Sequence, residues 1–337
     1  MTTIRDVANR AGVSTATVSR ALSGNGYVGT QTRELVEAAA AELNYIPNAL
    51  ARGLKTRRSG LIGLVIPEIA DPFFSLLAQG VEQAASERGF QVLLGASLGD
   101  AEREAKYLNL LLAHEVDGAI VCPAREAELA WEVMQRHRIP TVFVDDYPLN
   151  GRVDAVHSDN VGGMRALVEH LIGLGHRGIG MVGGRRSSVP GRQRAEGYLA
   201  ALTGAGIEAD GALLLDGPWT IEDGSRMAGN MLELASPPTA FVAGSSLLAA
   251  GVMRAVRGGG LRVPEDVALA SFDEPLLTSD LDPFLTAALQ PIEEMSRTAA
   301  RLLMARMDGT AIHAPRVQVL PVELAVRQSS GGYRVVR

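Results

Sequence analysis

The sequence predicts a helix-turn-helix head joined by a short basic segment to a two-lobed α/β body. Three observations predict it. Residues 4–22 combine helical apolar spacing, a glycine bend and a helix cap. Positive charge is concentrated in the first sixty residues. The rest of the chain alternates strand-like and helix-like runs, then begins that alternation again.

The head comes first. Ile4, Val7 and Ala8 stand three and four apart, as one face of a short helix requires. Ala8 is small enough for a second helix to cross closely, and Gly12 permits the tight turn between them. Ser14 suits the N-cap of that second helix, whose inner face is Val18, Ala21 and Leu22. Thr15, Ala16, Thr17, Ser19 and Arg20 then fall on its outer or N-terminal side, which is how such a unit offers a helix to the DNA major groove. A third helix is expected near Thr32–Leu43, with Leu35, Val36, Ala39 and Leu43 inward. A plain helical hairpin would also have small residues and a bend. It would not need cap, turn, core and polar outer face together.

Charge supports the head. The chain carries 32 Lys and Arg against 38 Asp and Glu, a net charge of −6. Residues 1–60 alone hold eight basic and four acidic side chains, a net +4, and the remainder holds −10. Phosphate contact needs the positive charge where the helix-turn-helix lies.

Pro47 stops the third helix and Asn48 can cap a short new one, with Leu50, Ala51 and Leu54 on one face. Arg52, Lys55, Arg57 and Arg58 can meet phosphates. So short a helix is marginal alone, and Gly53 costs it up to about 1 kcal/mol relative to alanine. It is expected to form fully when DNA or a second copy supports it; a basic linker is the plainer alternative.

The body follows. Strand-like runs are Leu61–Pro67, Phe90–Ala96, Gly118–Cys122 and Thr141–Val144, separated by helices near Phe74–Arg88, Glu102–His114 and Glu126–Arg138. After a helix at Val161–Leu174 come strands at Ile179–Val182, Ala212–Leu215, Ala240–Ala243 and Ala268–Phe272. Helices near Gln193–Ala205, Ile221–Leu234 and Leu247–Arg257 separate those. Two such lobes imply a hinged pair with a ligand cleft beyond the carboxyl ends of the strands. Those ends are Glu68–Phe74, Asp145–Tyr147, Gly183–Arg192, Gly244–Ser246 and Asp273–Glu274.

Several chemistries are disfavoured. One cysteine permits no disulfide framework within the chain, and the histidines (114, 137, 157, 170, 176 and 313) lack metal-ligand spacing, so no metal or cofactor is expected. No apolar run approaches the roughly 18 residues of a membrane span, and no signal-peptide pattern opens the chain. The glycines at 173, 175 and 178 match a dinucleotide fingerprint, but they end a helix and lead into a strand, the reverse of what phosphate binding needs. A nucleophile elbow, a P-loop and a paired-carboxylate signature are all missing from the sequence, so no enzyme is expected.

The chain resembles the lactose/galactose repressor (LacI/GalR) family of bacterial transcription regulators nearly end to end. The residues that carry the resemblance are Thr3–Leu22, Thr32-Arg33, Tyr45–Leu54, Asp71-Pro72-Phe73-Phe74, Val116-Asp117-Gly118, Gly175-His176-Arg177, Arg192–Tyr198, Val263-Pro264-Glu265-Asp266-Val267 and Gln290-Pro291. The resemblance implies a DNA-binding domain at 1–46, a hinge at 47–59 and a type I periplasmic-binding-protein-like body at 60–330, followed by a tail at 331–337. Lobe 1 would comprise about 60–160 and 292–320, and lobe 2 about 161–290 and 321–330.

It further implies a cytoplasmic, nucleoid-associated homodimer on near-palindromic operator DNA, repressing a carbohydrate operon under control of a sugar-like effector. Thr15, Ala16 and Arg20 would face base edges, with Thr17 and Ser19 nearer the backbone, and Thr3 and Ser14 would also bind DNA. In the hinge, Asn48, Ala51, Leu54 and Lys55 would touch DNA, Leu54 as a minor-groove wedge. The implied effector residues are Phe73, Phe74, Asp145, Arg192, Trp219, Ser245, Ser246, Asp273 and Gln290. Carboxylates and a guanidinium hydrogen-bond hydroxyls, and aromatic faces stack on C–H groups. Core packing is the plainer reading of Phe73 and Phe74, loop capping of Asp145, and a solvated charge of Arg192.

Three departures bear on these expectations. Ser245-Ser246 stands where relatives usually carry Asn-Asp, which shortens and discharges that wall. Gly29 stands where a serine cap is usual, and Gly53 replaces a usual serine. The rival readings are a secreted solute-binding protein, which would have a signal peptide and no helix-turn-helix, and an α/β enzyme, which would need a phosphate-cradling glycine loop after a strand.

Overall fold

The computed structural model describes residues 2–23, 27–45, 58–124, 127–149, 153–274, 283–311 and 314–331. The chain divides into two compact units, residues 1–59 and 60–337.

In the first unit, α1 (Ile4–Ala11), α2 (Thr15–Ser23) and α3 (Thr30–Glu42) enclose a core of Val7, Ala8, Val18, Ala21, Val36, Ala39 and Ala40. Gly12 ends α1 at φ +65°, the left-handed conformation its missing side chain permits, and the chain turns there into α2. Gly29 caps α3 through its backbone alone, so that helix begins two residues earlier than expected. Leu35 is a correction. It is 54% exposed, because Val36, Ala39 and Ala40 supply the inward stripe instead.

The second unit holds two six-stranded sheets of matching order. In lobe 1 the strands are β1 (Leu61–Ile66), β2 (Gln91–Ala96), β3 (Gly118–Val121), β4 (Thr141–Val144), β5 (Asp154–Ser158) and β11 (Val317–Leu320), ordered β11-β5-β4-β3-β1-β2. Lobe 2 has β6 (Ile179–Gly184), β7 (Leu214–Gly217), β8 (Ala240–Ala243), β9 (Ala268–Phe272), β10 (Thr286–Leu289) and β12 (Glu323–Ala325), ordered β12-β10-β9-β8-β6-β7. Every pairing is parallel except that of β12 with β10. Near-continuous apolar strands such as β1 and β3 are what parallel sheets covered on both faces require.

Helices α4 (Pro72–Ser86), α5 (Ala101–Ala113) and α6 (Ala127–Arg136) cover lobe 1. Helices α7 (Asn160–Gly173), α8 (Val189–Gly204), α9 (Ile221–Leu232) and α10 (Ser246–Gly258) cover lobe 2. The chain crosses between lobes three times: from β5 into α7, from β10 into α11 (Ile292–Met307), and from β11 into β12. Helix α11 packs against α4 in the core of lobe 1. The glycines at 173, 175 and 178 lie between the end of α7 and β6, and Gly175 takes φ +99°.

Two elements begin elsewhere than their apolar patterns suggest. Helix α8 starts at Val189, not Gln193, because Ser188 caps it and Pro190 occupies its first turn. Strand β7 begins at Leu214, after a 3-10 turn at Gly211–Leu213.

Helices α9 and α10 cross at two glycines. A Cβ on Gly251 would lie 2.4 Å from the Ile221 carbonyl oxygen, and one on Gly224 would lie 2.7 Å from that of Leu248. Both obstacles are backbone and cannot rotate away. Gly251→Ala is therefore expected to destabilise the body by about 3 kcal/mol, although helix propensity alone would favour alanine by about 1 kcal/mol. The urea midpoint reads the sign directly; a rise would contradict the close crossing.

Candidate functional site

Two sites emerge, one in each unit. In the first, α2 is held from one side. Ser14 Oγ accepts the Thr17 backbone N–H at 3.1 Å and lies 2.9 Å from Thr17 Oγ1, so its oxygen is occupied in capping. Val18 and Ala21 are buried, whereas Thr15, Ala16 and Arg20 are exposed, and Thr17 and Ser19 are half-buried. Arg20 Nε donates to the Ala16 carbonyl at 3.3 Å, laying the side chain along the outer face. Thr3 donates from both its backbone N–H and its hydroxyl to Asp6 Oδ2, each at 2.8 Å, which anchors the start of α1. Asn48, Ala51, Leu54 and Lys55 lie outside the described residues.

The second site lies where the carboxyl ends of both sheets meet. Asp71 follows β1 and caps α4, accepting the Phe73 N–H at 2.9 Å. Asp145 follows β4 and Asp273 follows β9, and the two sit at equivalent points of the two lobes. Both take left-handed backbones, φ +69° and +61°. Each donates its N–H to the neighbouring strand, Asp145 to Val156 at 3.0 Å and Asp273 to Ala288 at 2.9 Å. The crossover strands repeat the symmetry: Ser158 ends β5, Gln290 follows β10, and the Ser158 hydroxyl donates to Gln290 Oε1 at 2.5 Å. Gln290 in turn donates its backbone N–H at 3.1 Å, and its side-chain amide, to the Asp273 carboxylate.

Arg194 is the cation of this cleft. It is buried on the inner face of α8. Its Nε donates to Asn160 Oδ1 at 2.8 Å and its Nη1 to the Gly244 carbonyl at 2.6 Å. Its guanidinium lies 3.7 Å from the Phe272 ring centre and 5.6 Å from that of Trp219. Trp219 itself lies over Gly184, where any Cβ would fall inside the indole.

The carboxylates around Arg194 are poorly solvated. Burial pushes Asp71 up to about 6, with the charges of Asp273 and Asp145 adding to the rise and Arg194 opposing it. Burial also raises Asp145 against the pull of Arg194 and His157. It raises Asp273 too, against Arg194 and Gln290. Asp146 is pushed to about 7, chiefly by burial. In all four cases desolvation outweighs the nearby positive charge.

The sign for stability follows. Asp71 and Asp146 bind protons in the folded chain at pH values where the unfolded chain, near 3.8, has released them. Stability should therefore fall as pH rises from about 4 to about 7, with a slope up to about 1.4 kcal/mol per pH unit for each proton retained. Asp146→Asn should flatten that slope in urea denaturation; an unchanged slope would mean Asp146 does not carry it.

The expected effector residues divide. Asp145, Trp219, Asp273 and Gln290 lie around Arg194. Phe73 is 8% exposed in the core of lobe 1, with Phe74 packed edge-on at 4.9 Å between ring centres, so the pair belongs chiefly to packing. Arg192 is half-buried and faces Asp146 and Tyr147 rather than the central carboxylates. Ser245 caps α10, accepting the Leu248 N–H at 3.3 Å, and Ser246 is buried in its first turn. Sequence reasoning missed Asp71, Arg194, Asn160 and Ser158. The signal for Arg194 was its helical spacing with Ala195, Tyr198, Ala201 and Leu202, which form one buried stripe. Among the described residues no cluster of His, Cys, Asp and Glu could hold a metal, and no helix is long and apolar enough to cross a membrane.

Comparison with known proteins places both units. Residues 3–48 match the model for bacterial regulatory proteins of the lacI family, and residues 168–330 match a periplasmic binding protein-like domain. The HTH-type transcriptional repressor CytR of Escherichia coli (strain K12) is 34% identical over 328 residues, covering 97% of this chain and 96% of that one. A solved complex of the transcriptional regulator CelR with cellobiose is 34% identical with a TM-score of 0.75, covering 98% of this chain and all of that one. The lac repressor dimer bound to operator and the anti-inducer ONPF is 31% identical with a TM-score of 0.86, covering 98% of this chain and 99% of that one.

Proposed function

The chain belongs to the lacI family of bacterial regulatory proteins, and from that membership we infer that it is a repressor of a carbohydrate operon controlled by a neutral, hydroxyl-rich effector held between its lobes. It is a DNA-binding transcriptional regulator and not an enzyme. The observation that carries the DNA side is the one-sided burial of α2, which anchors Val18 and Ala21 and leaves Thr15, Ala16 and Arg20 free to meet base edges. Thr17 and Ser19, half-buried at the flanks, suit phosphate contacts, and Ser14 contributes by fixing the helix start. The lac repressor structure, a dimer on operator DNA, supports a homodimer on a two-fold site. The hinge residues Asn48, Ala51, Leu54 and Lys55 would complete that contact, and a DNA-bound protein would be concentrated on the nucleoid.

On the ligand side, Asp71, Asp145 and Asp273 surround a single buried arginine. Carboxylates already costly to desolvate repel a phosphorylated or sulfated compound and accept hydroxyl protons readily. The half-buried Trp219 face suits the C–H face of a ring. Cellobiose in the CelR complex supports a saccharide. Binding would couple to DNA through any preference for one of two lobe arrangements.

A DNase footprint on the promoter region of the chain's own operon tests the DNA side. The expected result is protection over an inverted repeat, with half-sites spaced by about one helical turn. Protection over one unpaired half-site, or none, would contradict it.

A further inference from the structure

One carboxylate reaches across from lobe 1 to the start of a lobe 2 helix. Asp146 stands next to Asp145 beyond β4, in lobe 1, and its Oδ1 accepts the Tyr147 N–H at 2.9 Å. The same oxygen accepts the backbone N–H of Val189, in lobe 2, at 3.0 Å. Asp146 is 7% exposed and Val189 1%, so water competes little for the bond. Val189 opens α8, and the first N–H groups of a helix have no helical carbonyl to receive them. The Ser188 hydroxyl takes the N–H of Gly191 and leaves that of Val189 to Asp146. The positive end of α8 therefore rests on a carboxylate from the opposite lobe. Arg192 and Arg194 ride on this helix within two turns of that contact.

We propose that Asp146 is a cross-lobe positioning residue: its carboxylate ties lobe 1 to the start of α8 and holds the lobes in the closed arrangement that brings Arg194 up to Asp71 and Asp145. Its role is to position Arg194. Its meaning for regulation rests on the effector cleft described above, but the closure does not, and it is measured without ligand. The bond involves side chain on one lobe and backbone on the other, so each partner can be removed separately.

Spin labels at Glu102→Cys and Glu222→Cys report the distance between lobes. Both sites are exposed, in the first turns of α5 and α9, at the cleft ends of β2 and β7. The native Cys122 is buried, with its thiol raised well above the usual range by burial, and does not compete for label. In the full-length, ligand-free protein the expected distribution is single and narrow. Asp146→Ala should lengthen or broaden it, and hydrogen exchange across residues 191–194 should rise roughly tenfold. Val189→Pro should do the same by removing the donor while keeping an apolar side chain of similar size. Proline is at home in a first helical turn, and Ser188 before it is already extended at ψ 153°. Asp146→Asn keeps an acceptor oxygen and should restore the narrow distribution. An unchanged distance in both Asp146→Ala and Val189→Pro overturns the proposal. If Asp146→Ala does not fold, Val189→Pro decides alone. Failure to find any effector would sink the cleft reading and leave this result standing.

Discussion

Arg194→Ala is expected to abolish the effector response, weakening ligand binding by about 100-fold or more, and to cost the body about 3 kcal/mol of stability. The two losses share a cause. Arg194 is buried with Asp71, Asp145 and Asp273 in its field, and its removal leaves three carboxylates facing one another without a cation. It also strands two acceptors, Asn160 Oδ1 and the Gly244 carbonyl, and removes the flat group lying against Phe272 and Trp219. Those carboxylates will take up protons to limit the repulsion. Asp71 is already at about 6 with Arg194 opposing the rise, so part of the lost stability should return as pH falls to about 6 and below. Arg192→Ala makes the control, since Arg192 is half-buried and away from the central cluster. Calorimetric titration and urea denaturation of both variants separate the cases. Equal effects from the two would contradict the assignment of Arg194 as the central cation.

Arg20→Ala is expected to weaken operator binding by about 10- to 100-fold, the range of one lost base-edge contact of 1–3 kcal/mol. The fold should not notice. Arg20 is exposed, and it bonds the Ala16 carbonyl within its own helix, a contact of small worth at the surface. A gel-shift titration at fixed salt reads the affinity, and thermal unfolding reads the fold. Since a lost phosphate contact would weaken all DNA about equally, the same titration on scrambled DNA distinguishes base reading from charge. An unchanged preference for operator over scrambled DNA would contradict base reading.

Much of the fold was legible because local chemistry and tertiary role agree. Strands β1, β3, β8 and β9 are short apolar runs that belong in covered parallel sheets, and the head carries its bend at Gly12 and its cap at Ser14 in the sequence itself. The crossover strands were not legible from periodicity. Strand β5 buries Asp154, His157 and Ser158, polar residues that disguise it as a loop until Arg306 is seen pairing with Asp154 at 2.6 Å. Strands β11 and β12 are short, and β11 exposes Val317 and Val319. Leu35 was misplaced because an apolar residue needs no burial when small neighbours fill the interface, as Ala39 and Ala40 do here.

In the cleft, Asp145 and Asp273 were legible as residues just past strand ends. What the sequence could not convey is their equivalence: the same left-handed turn and the same bond to the adjoining strand in each lobe. Arg194 was passed over because the resemblance pointed to Arg192, and a charged side chain on an otherwise apolar face reads as solvated until its partners are seen. Arg194, Ala195, Tyr198, Ala201 and Leu202 stand at helical spacing within the expected helix as well, so the buried stripe was open to reading in the sequence. Asp146 was beyond any sequence signal, since its partner is a backbone N–H on the other lobe.

The most direct measurement is fluorescence anisotropy of a labelled operator fragment, titrated with full-length protein alone and with a panel of neutral mono- and disaccharides, nucleosides and their phosphorylated counterparts. The account predicts that at least one neutral, hydroxyl-rich compound changes operator affinity by about tenfold or more, a coupling of about 1.4 kcal/mol. It also predicts that the phosphorylated form of that compound does not. Tight operator binding indifferent to every neutral compound, or answering only to a phosphorylated one, would contradict it.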